Sequence, residues 1–222
     1  MCSSRTRLVA DWWTGSGLQT GLCTRVLKQP PAEHHLRHTP GEAELLLGHF
    51  QVRMCFPFLR MARVFVYGTL KKGQPNNYRM FDSANGTAEF LASARTTQKY
   101  PLIITTEYNI PFLLNLPGQG HLVQGEIYKV DDLMLKYLDA LESVPTMYQR
   151  VLVKLEVVEW SGEAEGGERP AAGSITEAFV YNTTTYEPDW PSLPCYESYD
   201  SYGEHGLEYV TREARDRCHL PE

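Results

Sequence analysis

The sequence predicts an α+β fold built on a mainly antiparallel sheet or barrel. Two observations carry that reading. Strand-like segments outnumber helical ones and do not alternate with them one for one, and a single long segment has a clear helical period. The chain of 222 residues is 42% hydrophobic and 11% aromatic, enough for one substantial core.

The regular pattern starts near residue 61. Val64-Phe65-Val66-Tyr67 is an unbroken apolar and aromatic run, which suits a strand buried on both faces. Gly68 then allows a sharp turn and Gly73 a second unusual backbone angle. Backbone N–H groups left free at such a turn can face an anion or a carbonyl oxygen. The loop has neither the G-x-x-x-x-G-K-[ST] nor the G-x-G-x-x-G pattern of a phosphate loop.

A short helix is predicted over Pro75–Phe81, and strands over Glu89–Thr97, Leu102–Thr105 and Pro111–Asn115. Pro117-Gly118-Gln119-Gly120 is a turn signal, after which Leu122–Val130 alternates as a half-buried strand does. Asp131-Asp132 offers an N-cap to an amphipathic helix carrying Leu133, Leu135, Leu138 and Leu141, which stops at Pro145. Gln149–Trp160 and Ala178–Tyr181 read as strands around an acidic, glycine-rich loop at 161–173. The last forty or so residues, rich in Tyr, Pro and Gly, have little period and are expected to wrap the surface.

Residues 1–60 form an N-terminal extension of different texture, expected to be poorly ordered, with the folded domain over 61–222. The extension holds seven basic and four acidic residues, the remainder fourteen and twenty-three. A net charge of −6 argues against a nucleic-acid partner, and no apolar stretch is long enough to suggest a membrane span. Three of five cysteines fall in the extension, and the sparse usage suits a reducing, cytoplasmic compartment. His34, His35 and His38 cluster in a proline-flanked tract that reads as a solvated loop, so no metal is expected there.

Among candidate chemical groups, Glu142 ends the apolar stripe of the helix. Pointed inward, its carboxyl would have the raised pKa of a general acid or base; periodicity alone fits a surface glutamate at a frayed helix end better. Tyr148 and Arg150, two apart on the next strand, share a face and can orient a carboxylate, or serve as a structural Tyr and a surface Arg. Ile110-Pro111 is expected to be trans. Tyr196, Tyr199, Tyr202 and Tyr209 can line a pocket mouth or simply pack the tail. No Ser/His/Asp or Cys/His constellation is legible from spacing.

Four blocks in order resemble the γ-glutamyl cyclotransferase-like (AIG2-like) superfamily. They are Val64 to Gly73, Tyr108-Asn109-Ile110-Pro111-Phe112, Leu138 to Ser143 with Met147-Tyr148-Gln149-Arg150, and Ser198-Tyr199-Asp200-Ser201 with His205-Gly206-Leu207. The resemblance runs from about 61 to about 213 and implies a small mixed, mainly antiparallel β-barrel with helices packed around it. It implies a cofactor-independent enzyme that cyclises a γ-glutamyl group to 5-oxoproline and releases an amine, here γ-glutamyl-ε-lysine from crosslinked protein. The family's catalytic glutamate falls on Glu142 and its substrate loop on Tyr67, Gly68, Thr69 and Leu70. Ile110 and Pro111 are expected to border the pocket, and Tyr148 and Arg150, from their spacing, to support it. Phe112 departs from the Trp of a family relative, which bears on pocket shape only. The expected partner is a small γ-glutamyl amine and the expected state a monomer. Action on γ-glutamyl-α-amino acids or glutathione, or binding of a metabolite without turnover, are the alternatives.

Overall fold

The computed structural model describes residues 61–163 and 169–217. The extension 1–60, with its histidine cluster, and part of the acidic loop lie outside the described residues.

Among the described residues, seven strands and two α-helices form the framework. They are β1 (Ala62–Val66), β2 (Ala88–Tyr100), β3 (Leu102–Thr105), β4 (Ile110–Leu113), β5 (His121–Val130), α1 (Asp132–Leu141), β6 (Gln149–Trp160), β7 (Ile175–Asn182) and α2 (Arg212–Arg217). Strands β1-β5-β2-β6-β7 close into a barrel. Every neighbouring pair is antiparallel except β1 with β7, which closes it in parallel, so the barrel is mixed as expected. The β3–β4 hairpin stands apart from the barrel sheet and its end is stitched to Thr183, the residue after β7.

The run at β1 is buried on both faces because two cores meet there. Val64 and Val66 join the core that includes Met134, Leu138 and Phe112, while Phe65 and Tyr67 join a second with Leu91, Val123 and Leu155. Gly125 of β5 makes the close approach possible, since a Cβ there would collide with the Val66 carbonyl and the Phe65 ring. β2 runs three residues further than expected. The Thr96 hydroxyl accepts from Val123 N–H at 2.9 Å and donates to Gln98 C=O at 2.7 Å, which accommodates the irregular register between Arg95 and Lys99.

Helix α1 begins where the sequence places its cap. The Asp131 side chain accepts from Met134 N–H at 2.8 Å, and from the backbone and hydroxyl of Thr87 at 3.0 and 2.8 Å. Leu135, Leu138 and Leu141 of the leucine stripe pack on the core, but Leu133 does not. Leu133 is 55% exposed, and Met134 and Leu138 are the buried residues. The segment 75–81 forms only a short 3-10 turn, Asn77–Met80. Ile110–Pro111 is not among the cis bonds; Val144–Pro145 is cis.

Candidate active site

The helix and the loop after β1 meet over one cavity. Tyr67, Gly68, Thr69 and Leu70 form one wall, and Ile110 and Pro111 face them from the start of β4. Glu142, Tyr148, Tyr181 and Tyr209 complete the enclosure. The cavity holds about 460 Å³ of empty space, part of it open to solvent.

The loop is tied by its own backbone. Lys71 N–H donates to Gly68 C=O at 3.1 Å, Gln74 N–H to Lys71 C=O at 3.0 Å and Asn76 N–H to Thr69 C=O at 3.0 Å. No such bond engages the N–H groups of Thr69 or Leu70 among the described residues, which leaves them for a ligand. Gly73 has the left-handed conformation expected of it, with φ of 79°. Gly68 does not. What its missing side chain allows is the approach of Pro111, whose Cγ would lie 3.0 Å from a Cβ.

Glu142 reaches the cavity because it continues the true buried face of α1. Met134, Leu138 and Glu142 are spaced by four and stand on one side of the helix. Its backbone N–H closes the last turn to Leu138 C=O at 2.9 Å, and Ser143, at φ of 52°, turns the chain away. Glu142 is half-buried as a residue and lines the cavity. Burial pushes its pKa up to about 7, against the opposing pull of the Arg212 cation. Such a group is half ionised near neutral pH and can both take and return a proton.

The phenols around it stay neutral. Burial, then the Glu142 charge, holds Tyr67 well above the ordinary value, and its hydroxyl donates to Tyr181 C=O at 2.8 Å. Burial likewise raises Tyr148, with Tyr67 and Glu142 adding to the effect. Phe112 lies behind Tyr148, the rings stacked at 5.7 Å, and is not part of the wall.

Eight of the nine residues singled out in the sequence therefore surround one cavity, and Arg150 does not. The carboxylate that Arg150 holds is Asp139, at 3.1 Å, on the helix that carries Glu142. Asp139 in turn accepts from the Tyr181 hydroxyl at 2.9 Å, so Arg150 supports the cavity wall from behind. Of the four tail tyrosines, Tyr209 alone lines the cavity; Tyr199 is core and Tyr202 is 65% exposed. Tyr181 was missed. It follows Val180 at the buried end of β7, and only the parallel β1–β7 pairing brings it to the site.

A mixed barrel with a desolvated carboxylate opposite free backbone donors defines a small-molecule site capable of proton transfer. The family profile described as "Gamma-glutamyl cyclotransferase, AIG2-like" matches residues 64–201, and the chain belongs to that family. It is 55% identical over 160 residues to gamma-glutamylaminecyclotransferase B of Danio rerio, covering 72% of this chain and 79% of that protein. It is 51% identical over 155 residues to the Homo sapiens gamma-glutamylaminecyclotransferase, covering 70% of this chain and all (100%) of that protein. The crystal structure of a Mus musculus AIG2-like protein aligns with a TM-score of 0.62 at 50% identity, over 69% of this chain and 98% of that one.

Proposed function

We propose that this protein is a γ-glutamylamine cyclotransferase that converts γ-glutamyl-ε-lysine to 5-oxoproline and free lysine. The observation that carries the reading is Glu142, lifted to about 7 and facing the Tyr67–Leu70 loop across one cavity, in a chain that aligns with the Homo sapiens protein of that name over its whole length.

The substrate's α-amine attacks its own γ-carbonyl. A C–N bond forms to close the five-membered lactam, and the bond from the γ-carbon to the lysine Nε breaks. The α-nitrogen loses one proton before attack and a second as the lactam forms; Glu142 passes one of them to the departing Nε, the other goes to solvent, and the freed ε-amine is protonated from solvent, so the carboxyl ends as it began. Nucleophile and electrophile belong to one molecule, so holding the γ-glutamyl arm bent supplies much of the acceleration and no protein nucleophile is needed. The free N–H groups of Thr69 and Leu70 suit either the α-carboxylate or the oxyanion of the tetrahedral intermediate. Ile110 and Pro111 press the arm from the opposite side.

The protein acts in this reading as a cytoplasmic monomer on a small substrate, in the breakdown of crosslinked protein. The reducing compartment rests on the sparse cysteines; in the described residues Cys195 is a free thiol. The test is product formation. Purified protein is incubated with γ-glutamyl-ε-lysine, a γ-glutamyl-α-amino acid and glutathione in parallel, and 5-oxoproline and the released amine are quantified. Preferential turnover of the isopeptide is expected. Binding without 5-oxoproline, or faster turnover of another substrate, overturns the reading.

A further inference from the structure

We propose that Arg212, beyond the segment matched by the family profile, is a positioning residue for Glu142: it ties down the end of α1 and sets a positive charge beside the carboxylate. The proposal rests on Glu142 being the acid/base group.

The Arg212 guanidinium donates to Leu141 C=O at 3.3 Å. Leu141 is the last residue of α1 and the direct neighbour of Glu142. Carbonyls at a helix C-terminus lack intrahelical partners and carry partial negative charge, so an arginine there answers both needs. The short helix α2 is held in place around Arg212. Glu213 pairs with Arg79 at 3.5 Å, and Arg79 donates to the Tyr137 hydroxyl of α1 at 3.2 Å. Arg215 is buried, its guanidinium 4.3 Å from the centre of the Tyr108 ring and 5.2 Å from that of Tyr209. Its Nε donates to Val210 C=O at 3.0 Å. Tyr209, a cavity wall residue, is thus fixed by the same segment.

Among the described residues, the other titratable groups that line the cavity with Glu142 are phenols, Tyr209 among them. Tyr67 follows β1, Tyr148 precedes β6 and Tyr181 belongs to β7, and burial holds all three neutral across the working range. On its own helix Asp139 is engaged by Arg150. Arg212 itself is flanked by Tyr209, Arg79 and Arg215; burial lowers its pKa from the usual value, and as a guanidinium it stays charged. Its charge therefore opposes the desolvation of Glu142 and keeps a usable fraction of the carboxylate ionised.

The test titrates Glu142 directly, by NMR of full-length protein labelled with 13C at glutamate carboxyls, the signal being assigned through its loss in Glu142→Gln. In Arg212→Gln the midpoint is expected to rise by about one pH unit. In parallel kcat/KM for the isopeptide should fall about fivefold at pH 7 and converge on wild type near pH 9, with KM little changed. Arg212→Lys should restore most of both. Titration of the substrate amine is common to all variants and cancels in the ratio. Arg212→Met, which keeps the aliphatic stem, carries the same expectation should Arg212→Gln not fold. An unmoved midpoint overturns the proposal. A midpoint that moves while the activity profile stays put supports the hold of Arg212 on the carboxylate and overturns instead the acid/base reading of Glu142.

Discussion

Replacing Glu142 by Gln should abolish turnover and, at alkaline pH, stabilise the protein. The folded state lifts this carboxyl from 4.5 to about 7. Between those values the folded protein binds the proton and the unfolded chain does not, so the contribution of this group falls as pH rises through the window and stays low above it. At about 1.4 kcal/mol for each tenfold change, the full lift is worth about 3 kcal/mol. Water entering the cavity mouth screens part of it, leaving about 1–3 kcal/mol. Gln keeps the shape without the charge. Urea unfolding of wild type and Glu142→Gln should therefore give equal stabilities near pH 4 and a gap of about 1–3 kcal/mol in favour of Gln near pH 8.5. Turnover of γ-glutamyl-ε-lysine should drop by at least about 100-fold. A stability gap that does not change with pH would show that the carboxyl is not desolvated in the fold, and the acid/base assignment would lose its physical basis.

Gly68→Ala places a methyl group 3.0 Å from Pro111 Cγ, so the two cavity walls must part by a few tenths of an ångström. We expect kcat/KM to fall about tenfold with an almost unchanged melting temperature; wild-type kinetics would refute the close-approach argument. Asp131→Ala removes the acceptor of three hydrogen bonds, from Met134 N–H and both donors of Thr87. It should cost about 2–3 kcal/mol in denaturant unfolding, and a loss below about 0.5 kcal/mol would mean that α1 does not depend on its cap.

The outline of the barrel was legible because strands and caps are written locally. Leu102–Thr105 and Gln149–Trp160 run between the boundaries that their β-rich composition and flanking breakers suggest. The cap at Asp131 was legible for the same reason. Three of the four leucines of the helix, Leu135, Leu138 and Leu141, pack on the core as their spacing suggests, and Leu133 does not. The spacing leaves out Met134, which with Leu138 is the most buried residue of the helix and leads on to Glu142 by steps of four. A methionine counted with the leucines would have placed Glu142 on the buried face from spacing alone. Instead its role came from the family resemblance. The tail gave no such signal. Tyr199, Tyr202 and Tyr209 are alike in sequence and end up in core, solvent and cavity wall.

The sequence by itself determined the strands, the one long helix, the loop after β1 and the family. These rest on alternation, capping and short motifs, which act over a few residues. Tertiary structure alone decided that β1 pairs in parallel with β7, bringing Tyr181 to Tyr67 and Glu142. It decided also that Gly68 is needed for Pro111 rather than for a turn, and that Arg150 serves Asp139 rather than the cavity. Above all it decided the charge state of Glu142, because desolvation depends on every element packed around a carboxyl and on no residue beside it in the chain.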